Sequence, residues 1–134
     1  MNDKEKELVI THLIEKVSPF LIVLFGSTAN GYTHRESDID IAFLTDKKMD
    51  KYQLFMIAQE LASVLNQDVD LIDLHAANTV FQAEIVHTGK VIYCTDEHKK
   101  ALFEMKVLKM YAKLNEERAP ILKRIEESGS VYEK

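Results

Sequence analysis

The chain has 134 residues, of which 17 are Lys or Arg and 22 are Asp or Glu, so its formal net charge is −5 at pH 7. This length predicts a single domain over residues 1–134. The acidic balance excludes a broad nucleic-acid-binding surface, which needs concentrated Lys and Arg, so we expect no direct nucleic-acid binding. The only cysteine, Cys94, has no internal disulfide partner, and no apolar run is long enough to span a bilayer. We therefore expect a cytoplasmic protein without membrane attachment.

Apolar periodicity and the few glycines and prolines divide the chain into alternating helices and strands. Helices are predicted over residues 3–17, 50–66 and 77–87, followed by a long helical segment over 96–127 that Pro120 interrupts. Strands are predicted over residues 20–25, 38–45, 68–74 and 90–94. Asn2, with Glu5 three residues later, and Asn78 are predicted helix caps. The order of elements predicts an α/β (α+β) fold, a small mixed sheet with helices packed on one side.

The most informative stretch joins the first two predicted strands. Gly26-Ser27 follows the apolar run 20–25, and after ten intervening residues Asp38-Ile39-Asp40 opens the next strand. Gly26 allows a sharp turn and a close approach of backbone to a ligand, and the N–H groups after Ser27 can face an anion. Side chains alternate along a strand, so Asp38 and Asp40 share a face, with Cα atoms about 6.5–7 Å apart. Carboxylates at that spacing can hold Mg²⁺ together with substrate phosphates, which predicts phosphoryl or nucleotidyl transfer.

A third carboxylate, Asp70, lies inside the apolar strand predicted over 68–74. Burial of a bare carboxylate is costly, and a metal ion or a shifted pKa would relieve that cost. The alternative is an aspartate on an edge strand, exposed to water. Gly-Ser alone and Asp-x-Asp alone are both common in ordinary turns, so the prediction of a site depends on their combination.

With Gly26-Ser27, ten intervening residues and Asp38-x-Asp40, the sequence resembles the DNA polymerase β-like nucleotidyltransferase superfamily over roughly residues 18–94. The short chain resembles its minimal nucleotidyltransferase branch, the MNT partners of HEPN–MNT toxin–antitoxin pairs. The resemblance implies a catalytic core over about 18–94, with two Mg²⁺ ions held by Asp38, Asp40 and Asp70. It also implies that Gly26 and Ser27 hold the nucleotide and that Asp70 is the general base.

The same resemblance implies the reaction and the partner: AMP moves from ATP to a tyrosine hydroxyl of a HEPN-domain toxin, which the transfer silences. The chain departs from the family at Asn30, where relatives often carry arginine, and Arg35 is a candidate to compensate. His34 and Arg35 are also candidates to touch the substrate.

The predicted C-terminal helix suggests a competing function. Between Ala101 and Leu114 it is apolar almost all round, except for a narrow stripe of Lys106, Lys109 and Lys113. Such a helix is covered by the domain itself, by a second copy or by a partner, which leaves a homo-oligomer and a hetero-oligomer both open. The alternative to an enzyme is therefore a non-catalytic antitoxin that neutralises its partner by binding it.

Overall fold

In the computed structural model the described residues are 1–30 and 38–128, with side chains described for 1–29 and 38–117. Helices and strands alternate along this part of the chain, in the following order: α1 Asp3–Val17, β1 Leu21–Leu24, α2 Gly26–Asn30, β2 Ile39–Leu44, α3 Lys51–Leu65, β3 Val69–Asp73, α4 Thr79–Thr88, β4 Lys90–Cys94 and α5 Glu97–Ser128. A 3₁₀ turn, Leu74–Ala76, separates β3 from α4. The predicted helices and strands are confirmed, with ends that differ by at most two residues.

The four strands form one mixed sheet in the order β3-β2-β1-β4. The central strand β1 pairs antiparallel with β2 and with β4, and β2 pairs in parallel with β3. The end of β1 and the starts of β2, β3 and β4 therefore lie at the same end of the sheet. The predicted mixed α/β sheet is confirmed.

Helices cover both faces of this sheet. On one face α1 and α3 pack through a core that includes Leu13, Ile22, Phe43 and Leu61. On the other face α4 and the first turns of α5 pack on a second core, made of the side chains Phe20, Leu21, Val23, Phe25, Ala42, Leu44, Leu74 and Ile85. The prediction that helices pack on one side only is wrong. Because all four residues of β1 are apolar and buried, the strand presents an apolar surface in both directions.

Polar caps define where several helices begin. Asn2 and Glu5 form the predicted capping box, in which each side chain accepts a hydrogen bond from the other's backbone N–H. Asn78 caps α4 by accepting from the N–H of Phe81 at 2.9 Å. The helix predicted from residue 77 begins two residues later because the backbone of Ala77 and Asn78 is extended and Asn78 is the N-cap.

The long helix α5 is anchored at its start and continues past Pro120. Lys99 forms an ion pair with Asp46 and lies 5.2 Å from the ring centre of Phe20. The predicted interruption at Pro120 is wrong, since the backbone is helical from Glu97 to Ser128. In the part of the chain that the structure describes, no helix is both long and apolar enough to cross a membrane.

Candidate active site

The Gly-Ser corner and the paired aspartates meet at one end of the sheet. Antiparallel pairing places Leu24 opposite Ile41, and the N–H of Phe25 donates to the carbonyl oxygen of Asp40 at 3.1 Å. Gly26, the next residue, begins the short helix α2. The predicted convergence of the glycine corner with Asp40 therefore follows directly from the pairing of β1 with β2.

Asp40 and Asp70 lie side by side on neighbouring strands. In the parallel register of β2 and β3, Asp40 is the partner of Asp70. Neighbouring strands are about 4.8 Å apart, and partners in register point to the same face. The alternate residues Ile39, Ile41 and Leu71 point to the opposite face, where they are buried in the core with α1 and α3. The structure thus brings two of the three predicted carboxylates together.

Gly26 leaves room for the carboxylate of Asp40 in its present position. A Cβ atom at residue 26 would lie 2.4 Å from Oδ2 of Asp40, closer than real Cβ contacts occur. Gly26 also has φ +60°, in the left-handed region that favours glycine. The sequence predicted a close approach of backbone to a ligand at this glycine. In the structure, the close approach is to the carboxylate.

Thr28 is a site residue that the sequence analysis missed. It is 4% exposed, and its Oγ1 accepts a hydrogen bond from the backbone N–H of Asp40 at 2.9 Å. The bond ties α2 to the start of β2 and fixes the backbone that carries Asp40. No sequence signal distinguishes it, because a threonine after Gly-Ser is ordinary in a turn and its partner is twelve residues away.

The remaining predicted residues lie around this pair. Ser27 is half-buried in the first turn of α2, and Asp38 is exposed immediately before β2. The candidate contacts His34 and Arg35 lie outside the described residues, as does the side chain of Asn30.

Asp70 is exposed, contrary to the expectation that its carboxylate is buried. The cause is its position, since β3 is an edge strand of the sheet. The alternative, that Asp70 is an aspartate on an edge strand and exposed to water, is therefore correct as far as its exposure is concerned. Its importance comes instead from the register that places it beside Asp40.

The site carries concentrated negative charge. Burial raises the pKa of the Asp40 carboxyl above its ordinary value of 3.8, and the charges of Asp70 and then Asp38 raise it further. Within residues 1–29 and 38–117, no cationic side chain forms an ion pair with any of these three aspartates. A bound cation would relieve this repulsion.

The donor set fits a magnesium site that the substrate completes. Among the described side chains, no three carboxylate, histidine or cysteine groups lie close enough together to hold a metal ion by themselves. Mg²⁺ does not require one, because it is usually held by one or two carboxylates together with substrate phosphates and water. Asp40 and Asp70, which are partners in the parallel register, would supply carboxylate oxygens, and a nucleotide would supply the remaining ligands.

The raised pKa of Asp40 predicts how its replacement changes stability. An aspartate whose pKa is raised by folding binds its proton more tightly in the folded chain than in the unfolded chain. The free energy of unfolding therefore falls as pH rises from the ordinary pKa through the raised value. With a metal chelator present, Asp40→Asn should unfold at a higher temperature than wild type at neutral pH, and the difference should shrink in acid. Thermal melts of wild type and Asp40→Asn from acid to neutral pH measure this difference. An Asp40→Asn protein that is no more stable than wild type at neutral pH would contradict the prediction.

Comparisons with known proteins show the family of this chain. Residues 7–98 match the family described as "Polymerase beta, Nucleotidyltransferase". A protein adenylyltransferase MntA from Shewanella oneidensis is 44% identical over 102 residues, which are 76% of this chain and 73% of that protein. A second protein adenylyltransferase MntA, from Aphanizomenon flos-aquae, is 28% identical over 110 residues, 72% of this chain and 71% of that protein.

Two solved structures extend the similarity to most of the chain. One is a crystal structure of a toxin–antitoxin with AMP-PNP, with a TM-score of 0.81 and 39% identity, covering 90% of this chain and 97% of that one. The other is a tri-AMPylated Shewanella oneidensis HEPN toxin in complex with MNT antitoxin, with a TM-score of 0.79 and 35% identity, covering 93% and 98%. On the sequence match, the fold and the position of the aspartates, this chain belongs to the polymerase β nucleotidyltransferase family.

Proposed function

We propose that this chain transfers AMP from ATP to a tyrosine hydroxyl of a cognate HEPN-domain toxin, and that it is the antitoxin of that pair. The observation that carries the proposal is the register of Asp40 with Asp70 beside Gly26, at one end of the sheet. The similar proteins add support, since one complex contains an ATP analogue and another contains an AMPylated HEPN toxin.

In this proposal the acceptor oxygen attacks the α-phosphorus of ATP. One oxygen–phosphorus bond forms, the bond between the α-phosphorus and its bridging oxygen breaks, and pyrophosphate leaves. Asp70 accepts the proton of the acceptor hydroxyl, a role that suits a carboxylate that is exposed at the sheet edge and close to Asp40.

The other residues of the site bind and orient the substrate. Asp38, Asp40 and Asp70 would hold two Mg²⁺ ions, which neutralise phosphate charge and favour in-line attack when bound. Ser27 and the backbone after Gly26 would contact the triphosphate. Thr28 holds the backbone of Asp40 in place, and so acts on the reaction through Asp40.

A non-catalytic antitoxin is the second candidate, and the exposed apolar side chains of α5 are compatible with it. Such a protein would neutralise its partner by covering it, without ATP. The two candidates differ in the effect of the aspartates, because binding alone does not need them.

The test is the intact mass of the acceptor after incubation with this chain, ATP and Mg²⁺. Two acceptors are used: the cognate HEPN-domain protein and the Shewanella oneidensis HEPN toxin. We expect the acceptor mass to rise in steps of one AMP with wild type and to stay unchanged with Asp38→Asn/Asp40→Asn. If the acceptors stay unmodified but form a stable complex with wild type and with Asp38→Asn/Asp40→Asn alike, the non-catalytic antitoxin is favoured and the proposed reaction is overturned.

Thr28→Val should lower kcat with little change in the KM for ATP, because the N–H of Asp40 loses its acceptor while the nucleotide contacts remain. Loss of one hydrogen bond of about 1–1.5 kcal/mol corresponds to roughly a tenfold slower reaction. Thr28→Ser keeps the hydroxyl and should retain most of the activity. Steady-state rates of AMP transfer measure this, and wild-type kcat in a folded Thr28→Val protein would show that the bond does not position Asp40.

A further inference from the structure

One face of α5 carries an exposed apolar row, which we call the α5 seam: Ala101, Met105, Leu108 and Ala112. All four side chains are exposed, Met105 at 68% and Leu108 at 51%. Their spacing of four, three and four residues places them in one line along the helix, as in the contact line of a coiled coil. Because alanines occupy both ends, another helix can approach closely. Of the alternatives left open for this helix, cover by the domain itself does not hold for this face.

Lysines and a groove border the α5 seam on opposite sides. On one side lies a lysine row made of Lys106, Lys109 and Lys113, and within the described part of the chain no carboxylate forms an ion pair with these three. On the other side α4 and α5 enclose a groove of about 430 Å³, to which Leu108 contributes. A ligand on the seam therefore meets apolar side chains in the middle and positive charge along one side.

The groove is physically connected to the candidate active site through α4. Phe81 of α4 packs edge-to-face against Phe25, with ring centres 5.6 Å apart. Phe25 is followed directly by Gly26, and its N–H is bonded to the carbonyl of Asp40. One helix thus forms a wall of the groove on its outer side and packs on its inner side against Phe25, the residue before Gly26.

We propose that the α5 seam is the docking surface for the acceptor protein, and that it receives an amphipathic helix whose acidic side chains face the lysine row. This inference rests on the proposed function, since it takes the acceptor to be a protein. The helix would bury Met105 and Leu108 in its apolar stripe and place carboxylates opposite Lys106, Lys109 and Lys113.

Charge argues against a second copy of this chain as the occupant. In an antiparallel two-fold pair, the lysine row of one copy would face the lysine row of the other, which is repulsive. In a parallel pair the lysine row would face the groove wall of the other copy, where Glu84 is the carboxylate that lines the groove. Glu104, which also lies toward that side, is already paired with Lys100 at 3.5 Å. The three lysines of this row therefore fit an acidic partner better than a copy of the same surface.

The test compares Met105→Glu/Leu108→Glu with wild type in binding to the HEPN-domain acceptor and in AMP transfer. We expect the Kd of the complex to rise about tenfold or more, as for central residues of an interface. The KM for the acceptor should rise in parallel, while kcat at saturating acceptor is retained. The matched control is Phe55→Glu on α3, which is 58% exposed on the opposite face of the sheet and should change neither constant.

Charge reversal tests the second part of the inference. Lys106→Glu/Lys109→Glu/Lys113→Glu should weaken the complex and flatten the dependence of its Kd on salt concentration. Unchanged Kd and KM in both multiple variants would overturn the inference. So would a dimer of the chain alone, seen in sedimentation, that Met105→Glu/Leu108→Glu breaks without weakening acceptor binding.

Failure of the proposed function gives a different pattern. Asp38→Asn/Asp40→Asn should lose transfer and keep wild-type acceptor affinity, because the aspartates lie outside the α5 seam. If wild type binds the acceptor but transfers no AMP, the proposed reaction fails, and the binding constants of the α5 variants still decide whether the seam is the docking surface.

Discussion

The parallel pairing of β2 with β3 is the constraint on which the site depends. It sets Asp40 beside Asp70 on one face, while Ile39, Ile41 and Leu71 enter the core on the other. A slip of one residue along β3 would send its apolar side chains to the wrong face, so burial of Leu71 fixes the register. The position of the two carboxylates is therefore determined by hydrophobic packing on the opposite side of the sheet.

This arrangement has an electrostatic cost that the surrounding structure tolerates. Three aspartates repel one another, and Asp40 is partly removed from water, so its pKa is raised. The backbone around it is correspondingly well fixed, by Thr28 at its N–H and by Phe25 at its carbonyl. Gly26 leaves the space that the carboxylate occupies. A cluster of like charges held rigidly in this way is suited to cations and phosphates, and supports the proposed nucleotidyl transfer.

Much of the fold could be predicted from local sequence patterns. Helix α1 and its Asn2 cap were predicted correctly because apolar spacing and a capping box act over a few residues. The location of Gly26 after one strand and of Asp40 at the start of the next could also be predicted from the sequence. The role of Thr28 and the exposure of Asp70 could not be predicted, because they depend on a contact across twelve residues and on which strand lies at the sheet edge. The second helical layer was also missed, since a fully apolar strand such as β1 does not reveal what covers each face.

The central claim is that the aspartates of β2 and β3 act as one cation site in the presence of nucleotide. The most direct measurement is a titration of the chain with Mn²⁺ in the presence of α,β-methylene-ATP, with bound Mn²⁺ detected by electron paramagnetic resonance. In this ATP analogue the bond between the α-phosphorus and the leaving group cannot be cleaved by transfer. We expect wild type to bind Mn²⁺ and the nucleotide together, and both Asp40→Asn and Asp70→Asn to bind the ion more weakly. Equal Mn²⁺ affinity in all three proteins would contradict the claim that the register of the two strands builds the site.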